Sequence, residues 1–179
     1  MSLGLPSGQN HLVPHDPQWL ALFEEERERL RLVLPPEAYD IQHIGSTAVP
    51  GLRAKPIIDI AIAAQSHGLA DEWQQAMASL GYDYPGDIGI PDHRIYGRDR
   101  GTRRFLVHVV DANGQRWKDF LRFRDLLRDD AQLAAAYQAV KHEAASRYPT
   151  GQRVSYTSAK AEFIERILAQ EPKRSGEPC

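Results

Sequence analysis

His43-Ile44-Gly45-Ser46-Thr47-Ala48-Val49-Pro50-Gly51-Leu52-Arg53-Ala54-Lys55-Pro56-Ile57-Ile58-Asp59-Ile60-Ala61 decides the fold. It reads as a strand, a tight turn, an irregular passage and a second strand. Gly45 permits a bend that other residues resist. Ser46 and Thr47 bring hydroxyls and backbone N–H groups to that bend, where a phosphate can be cradled. From Ile57 to Ala63 the chain is apolar except at Asp59. A carboxylate in such a strand is expensive unless it is paired or holds a metal. Phosphate donors on one strand and an acid on the next, with Lys55 between them, point to nucleotide chemistry.

Upstream of this stretch, Asp16 and Pro17 open a helix whose Trp19, Leu20, Phe23, Leu30, Val33 and Leu34 recur at helical spacing. Its middle, Glu24 to Arg29, is all charged and is expected in solvent. Tyr39 to Ile44 alternates as a strand. Downstream, Ile57 to Ala64 is a strand in which Asp59 shares a face with Ile57, Ala61 and Ala63. Leu69 to Leu80 reads as a helix stopped by Gly81. Arg94 to Tyr96 reads as a short strand, Gly97 to Thr102 as a turn, and Phe105 to Asp111 as a strand with Leu106, His108 and Val110 on one face. Helices follow over Gln115 to Arg128, from a cap at Asp130 to Arg147, and from a cap at Ser155 onward. Strands first and helices last fit an α+β domain over residues 11–170, with helices laid against a mixed sheet. That order predicts a single core and one cleft between the sheet and the C-terminal helices. Residues 1–10 are expected to be a flexible N-terminus and 171–179 a flexible tail.

In a chain of 179 residues, 26% charged residues and a net charge of −2 argue against a general nucleic-acid binder, which would be basic overall, and leave room for a local basic pocket. The one cysteine, Cys179, is the last residue, so no disulfide framework or thiolate cluster is expected. No apolar run is long enough to span a membrane, and the first ten residues lack a signal-peptide pattern. A cytoplasmic protein is expected.

Asp59 is the leading catalytic and metal-binding candidate, holding a divalent cation that bridges nucleotide phosphates. Its alternative is a structural pairing with a cation. Gly45, Ser46 and Thr47 are the expected phosphate turn. On the three C-terminal helices the apolar stripes each include one cation: Arg124 beside Phe120 and Leu121, Lys141 beside Tyr137 and Ala144, and Lys160 beside Tyr156 and Phe163. A surface helix usually keeps its cations on the outer face. The three together suggest an anion pocket for a triphosphate, counter-charges for Asp59 and the acids near it, or long stems snorkelling to water; Lys55 is a further candidate phosphate ligand. Tyr156 is placed to stack on a base or to pack. On the strand Phe105 to Asp111, His108 and Asp111 lie on opposite faces, so only one can point at Asp59. Arg94, Arg98, Arg100, Arg103 and Arg104 form a basic hairpin, expected as a solvated turn.

The Gly-Ser turn followed by Asp59 resembles the GrpB family. The resemblance continues through His15-Asp16-Pro17-Gln18-Trp19, His108-Val109-Val110, Phe123-Arg124-Asp125-Leu126-Leu127-Arg128 and Tyr156-Thr157-Ser158-Ala159-Lys160. It implies a fold similar to the nucleotidyltransferases, which carry Asp-x-Asp or Asp-x-Glu after the Gly-Ser turn. Gly45, Ser46 and Asp59 match that pattern, and Ala61 does not. His108 fits the family's motif, as a metal ligand with Asp59; Leu106 stands where a polar residue is often found. The implied ligand is a nucleotide or other phosphorylated small molecule, with Mg2+ as cofactor and nucleotidyl transfer as the reaction if there is one. The alternative is a degenerate, non-catalytic module, with a coenzyme-A-related ligand or an accessory role, since some of the family's domains are fused to dephospho-CoA kinase.

Overall fold

In a computed structural model the elements run β1 (Leu5–Pro6), α1 (Gln18–Arg31), β2 (Ala38–Ile44), a 3-10 turn (Ser46–Ala48), β3 (Ile58–Ala64), α2 (Asp71–Ser79), β4 (Tyr82–Asp83), β5 (His93–Arg98), β6 (Thr102–Arg103), β7 (Phe105–Asp111), α3 (Gln115–Asp129), α4 (Ala131–Arg147) and α5 (Arg153–Leu168). The structure describes residues 3–35, 38–65, 71–86, 89–99 and 101–170. Arg100, the start of the helix expected from Leu69 and the tail from 171 onward lie outside those residues. Among the described residues no helix is long and apolar enough to cross a membrane.

Five strands form a mixed sheet in the order β2-β3-β7-β5-β4. β3 is antiparallel to β2 and parallel to β7, and β5 is antiparallel to β7. Period two divides the sheet into two faces. Ile58, Ile60, Ile62 and Ala64 face one way with Ile41, Val107, Val109 and Tyr96, and pack on Trp19, Phe23 and Leu30 of α1 and on Trp73 and Met77 of α2. Asp59, Ala61 and Ala63 face the other way, with Leu106 and His108, toward the three C-terminal helices.

Those helices bring their own apolar cluster, built from Val49, Leu52, Leu127, Tyr137, Phe163 and Ile167. The expectation of a single core is therefore corrected: among the described residues the buried apolar side chains fall into two clusters. Asp130 caps α4 as expected, accepting from the N–H groups of Gln132 at 2.8 Å and Leu133 at 2.9 Å. α5 begins two residues before the expected cap at Ser155. Its far end is held by Arg122, which donates to the Leu168 carbonyl at 2.9 Å.

Three further expectations are corrected. The opening residues are tied down: β1 pairs with β6, Gly4 N–H donates to the Pro56 carbonyl at 2.8 Å, and Asn10 N–H donates to Pro149 at 3.0 Å. The charged run of α1 is not all in solvent, because Glu26 is buried beside Trp19, Phe23 and Leu30. The basic hairpin is not all solvated: Arg98 is buried against Glu26 of α1, Arg103 pairs with Asp83 of β4 and Arg104 with Asp99.

Candidate functional site

Ile44 is opposite Asp59 across the β2–β3 pairing, so the carboxylate rises beside the point where β2 ends. There the chain bends at Gly45, with φ 68° and ψ −168°. A Cβ on Gly45 would stand 2.6 Å from Asp59 Oδ2. Glycine alone lets the turn pass this close to the acid. In the 3-10 turn that follows, the Ala48 and Val49 N–H groups donate back to the Gly45 and Ser46 carbonyls. The N–H groups of Ser46 and Thr47 open this short helix and have no partner within it. The turn therefore passes close against Asp59.

Thr47 takes part through its backbone only. Its buried hydroxyl is 2.9 Å from His43 Nε2, on the α1 side of the sheet, where His43 stacks on Phe23. Burial pushes the His43 pKa down to about 4. The imidazole is a neutral brace for the turn.

His108, and not Asp111, points at Asp59. It stands level with Ala61 in the parallel β3–β7 register, one step along the same face. Its Nε2 lies 3.8 Å from Asp59 Oδ1. Asp111 instead accepts the Asn113 N–H at 3.0 Å and closes a turn. Behind His108 is a residue that sequence reasoning missed: His93 of β5, whose Nε2 is 3.0 Å from His108 Nδ1. Phe120 of α3 covers both rings. Burial, reinforced by the neighbouring His108, pushes the His93 pKa down to about 3.

Helices α4 and α5 bring two phenols to the turn and to Asp59. Tyr137 of α4 is hydrogen-bonded to Ser46, and burial raises its hydroxyl pKa. Burial and then the Asp59 charge push the Tyr156 hydroxyl up to about 12. Both phenols therefore stay protonated within reach of the carboxylate's field. The Lys55 ammonium lies 3.8 Å from the Tyr156 ring centre and the Lys160 ammonium 4.3 Å from it. These cation–π contacts hold both ammoniums against one ring. Lys55 is steadied by buried Asn10, which accepts from its ammonium and donates to the Tyr148 carbonyl. Tyr137 and Asn10 were legible only as a packing aromatic and a loop residue.

Two of the expected anion ligands serve the scaffold. Arg124 donates to Gln42 Oε1 at 2.9 Å, to the His43 carbonyl at 3.1 Å and to Asp125 at 2.7 Å. Together with Arg128, which donates to the Ala48 carbonyl at 2.9 Å, it clamps the turn at both ends. Lys141 is 1% exposed, and its ammonium donates to the Arg53 carbonyl. Both cations are therefore corrected from ligand contacts to supports of the 43–55 segment.

Burial, with Lys160 nearby, lowers the Lys141 pKa to about 7. Between that value and the ordinary lysine range the folded chain holds fewer protons than the unfolded chain. Its stability must therefore rise with pH there. Relative to Lys141→Met, the wild-type chain should gain about 2 kcal/mol between pH 7 and pH 9, measured by urea unfolding. An unchanged gap between the two proteins would show that the ammonium is not held in a dry site.

Magnesium asks for oxygen ligands in octahedral array. Asp59 can supply one, with ligand phosphates and waters as the others. Ala61 offers none, and His108 offers nitrogen. Among the described residues no three His, Cys, Asp or Glu converge on a metal position. The donor set fits a single magnesium brought in with phosphates, resting on Asp59, and does not fit a two-ion centre.

Residues 9–170 match the family described as GrpB protein. The glutamate-rich protein GrpB of Alkalihalophilus pseudofirmus is 30% identical over 171 residues, which cover 93% of this chain and 98% of that protein. The crystal structure of the conserved protein GrpB from Enterococcus faecalis matches with a TM-score of 0.74 at 27% identity, over 88% of this chain and 99% of that one. The Cid1 poly(U) polymerase, solved with magnesium and 3'-dATP, matches with a TM-score of 0.54 at 18% identity, over 84% of this chain and 50% of that one. That last likeness is one of fold, and it bears out the nucleotidyltransferase-like sheet. With both sequence and architecture matched over most of its length, this chain belongs to the GrpB family.

Proposed function

We propose that the chain binds a nucleotide or a related phosphorylated small molecule in the hollow between the turn at 45–47 and the helices, and that it does so without transferring it. The observation that carries this reading is the close approach of Gly45 to Asp59. Next to that approach come Ser46 and Thr47, whose N–H groups open the turn, and Lys55 and Lys160 stand against the Tyr156 ring. N–H groups and ammoniums suit phosphate oxygens, and an aromatic ring flanked by cations suits a base or a polyphosphate. Asp59 is left to receive a hydroxyl of the ligand or a magnesium ion that arrives with its phosphates. Transfer is disfavoured because in-line displacement calls for charge on both attacking and leaving oxygens, and β3 offers a methyl at Ala61 where a second carboxylate would help.

The test is a thermal-shift and calorimetric screen of the four ribonucleoside triphosphates, inorganic tripolyphosphate and dephospho-CoA, each with magnesium and with EDTA. At least one should stabilise the protein, by about 2.7 kcal/mol at a hundred times its Kd. Lys55→Met and Lys160→Met should each weaken that ligand at least tenfold. No stabilisation by any of them overturns the binding reading. Magnesium-dependent release of pyrophosphate, lost in Asp59→Asn, overturns its non-catalytic half.

A further inference from the structure

The pair His93–His108 fixes which atom His108 presents to Asp59. A hydrogen bond of 3.0 Å between His93 Nε2 and His108 Nδ1 needs one proton between them. Suppose His108 supplies it. A neutral His93 then carries its proton on Nδ1, which is buried with no hydrogen-bond partner among the described residues. A neutral His108 would at the same time turn a bare Nε2 lone pair toward the Asp59 carboxylate, 3.8 Å away. Orphaned buried N–H groups are rare, and two lone pairs face to face repel. Suppose instead that His93 supplies the proton. Its buried Nδ1 is then bare, and His108 Nδ1 is satisfied as an acceptor. The His108 proton moves to Nε2 and points at Asp59. The repulsion vanishes, and the buried Nδ1 of His93 is left as an unpaired acceptor, a lesser fault than an orphaned N–H. A doubly protonated His108 also carries a proton on Nε2, so the atom facing the hollow is a donor in either charge state.

We infer that His93 is a positioning residue that locks His108 as an Nε2–H donor, so that position 108 receives a phosphate oxygen of the ligand and does not ligate a metal. This departs from the expectation of His108 as a metal ligand, and it rests on the phosphorylated-ligand reading above. Beside Asp59 the ligand meets an N–H where a two-ion enzyme would offer a cation. Phosphate recognition at this position is therefore independent of magnesium.

The tautomer is read directly from two-bond 1H–15N spectra of the full chain labelled with 15N-histidine, in EDTA. His108 should show a protonated Nε2 and a bare Nδ1. His93→Gln keeps an N–H that can donate to Nδ1 and should preserve that pattern; His93→Leu should lose it and give mixed tautomers. Titration with tripolyphosphate in EDTA should shift the His108 Nε2–H resonance, and His108→Leu should weaken the anion at least tenfold. A bare Nε2 on wild-type His108 overturns the assignment, whatever binds. The assigned tautomer without binding of tripolyphosphate or any nucleotide overturns the phosphorylated-ligand reading and, with it, the donor role. Binding that appears only with magnesium and moves the His108 proton to Nδ1 overturns the inference and leaves that reading standing.

Discussion

Arg98→Met should bring the domain close to unfolding, with a loss of about 3–5 kcal/mol in urea denaturation. That is a large part of the roughly 5–15 kcal/mol by which domains are stable. Arg98 donates to Glu26 at 2.6 Å, and the Tyr82 hydroxyl donates to the same carboxylate at 2.9 Å. Glu26 is 2% exposed. The guanidinium also lies 4.4 Å from the centre of the Phe105 ring, and Arg98 is itself buried. Removing the cation leaves a carboxylate in a dry site with Tyr82 and the partly exposed Arg29 to satisfy it. The cost arises from that stranded charge and not from the worth of the pair. The double variant Glu26→Leu with Arg98→Met should therefore recover most of the loss. If Arg98→Met alone costs under 1 kcal/mol, the cluster is solvated and this account of α1 fails.

Glu26 shows how much of the fold the sequence carried. Trp19, Phe23, Glu26 and Leu30 fall on one helical stripe, and all four are buried. The periodicity already placed the glutamate inward, but the charged residues on either side of it hid that signal. Lys141 was read inward by the same rule, correctly. Its partner, the Arg53 carbonyl, lies 88 residues away along the chain, and periodicity carries nothing about such pairs. Asp59, Gly45 and the sheet were legible for a related reason. An acid in an apolar strand and a glycine at a strand end are local signals, and the two strands are neighbours in the chain. His93, Tyr137, Asn10 and Arg128 were not legible as site residues. Each gains its role from a contact across the fold: His93 from the β5–β7 pairing, Tyr137 and Arg128 from helices docked on the turn, and Asn10 from the opening segment crossing to Lys55. A cation that bonds the scaffold and one that only stands over a ring look alike on a helical wheel, so periodicity groups Arg124 and Lys141 with Lys160.

Gly45→Ala should cost about 3 kcal/mol of stability and abolish binding of whichever phosphorylated ligand the screen identifies. Two effects act at this position. The backbone, at φ 68° and ψ −168°, lies in a region that is essentially reserved for glycine. The added methyl would also meet Asp59 Oδ2 at 2.6 Å and Asp59 Cβ at 3.2 Å. The carboxylate would have to swing away, or β2 and β3 would have to part at Ile44, and either change removes Asp59 from the turn. Gly51 separates the two effects. It also has positive φ, at 77°, but a Cβ there meets nothing within 4 Å. Gly51→Ala should cost about 1–2 kcal/mol of left-handed strain and leave binding intact. The clash itself can be isolated by a double-mutant cycle, because shortening Asp59 to alanine removes the nearer of the two contacts. Gly45→Ala should then cost less in the Asp59→Ala background than in the wild type, by more than the roughly 0.5 kcal/mol scatter of independent sites. Additive losses, or a Gly45→Ala protein that binds as tightly as Gly51→Ala, would mean that the acid and the bend do not share one hollow, and the proposed site would fall with them.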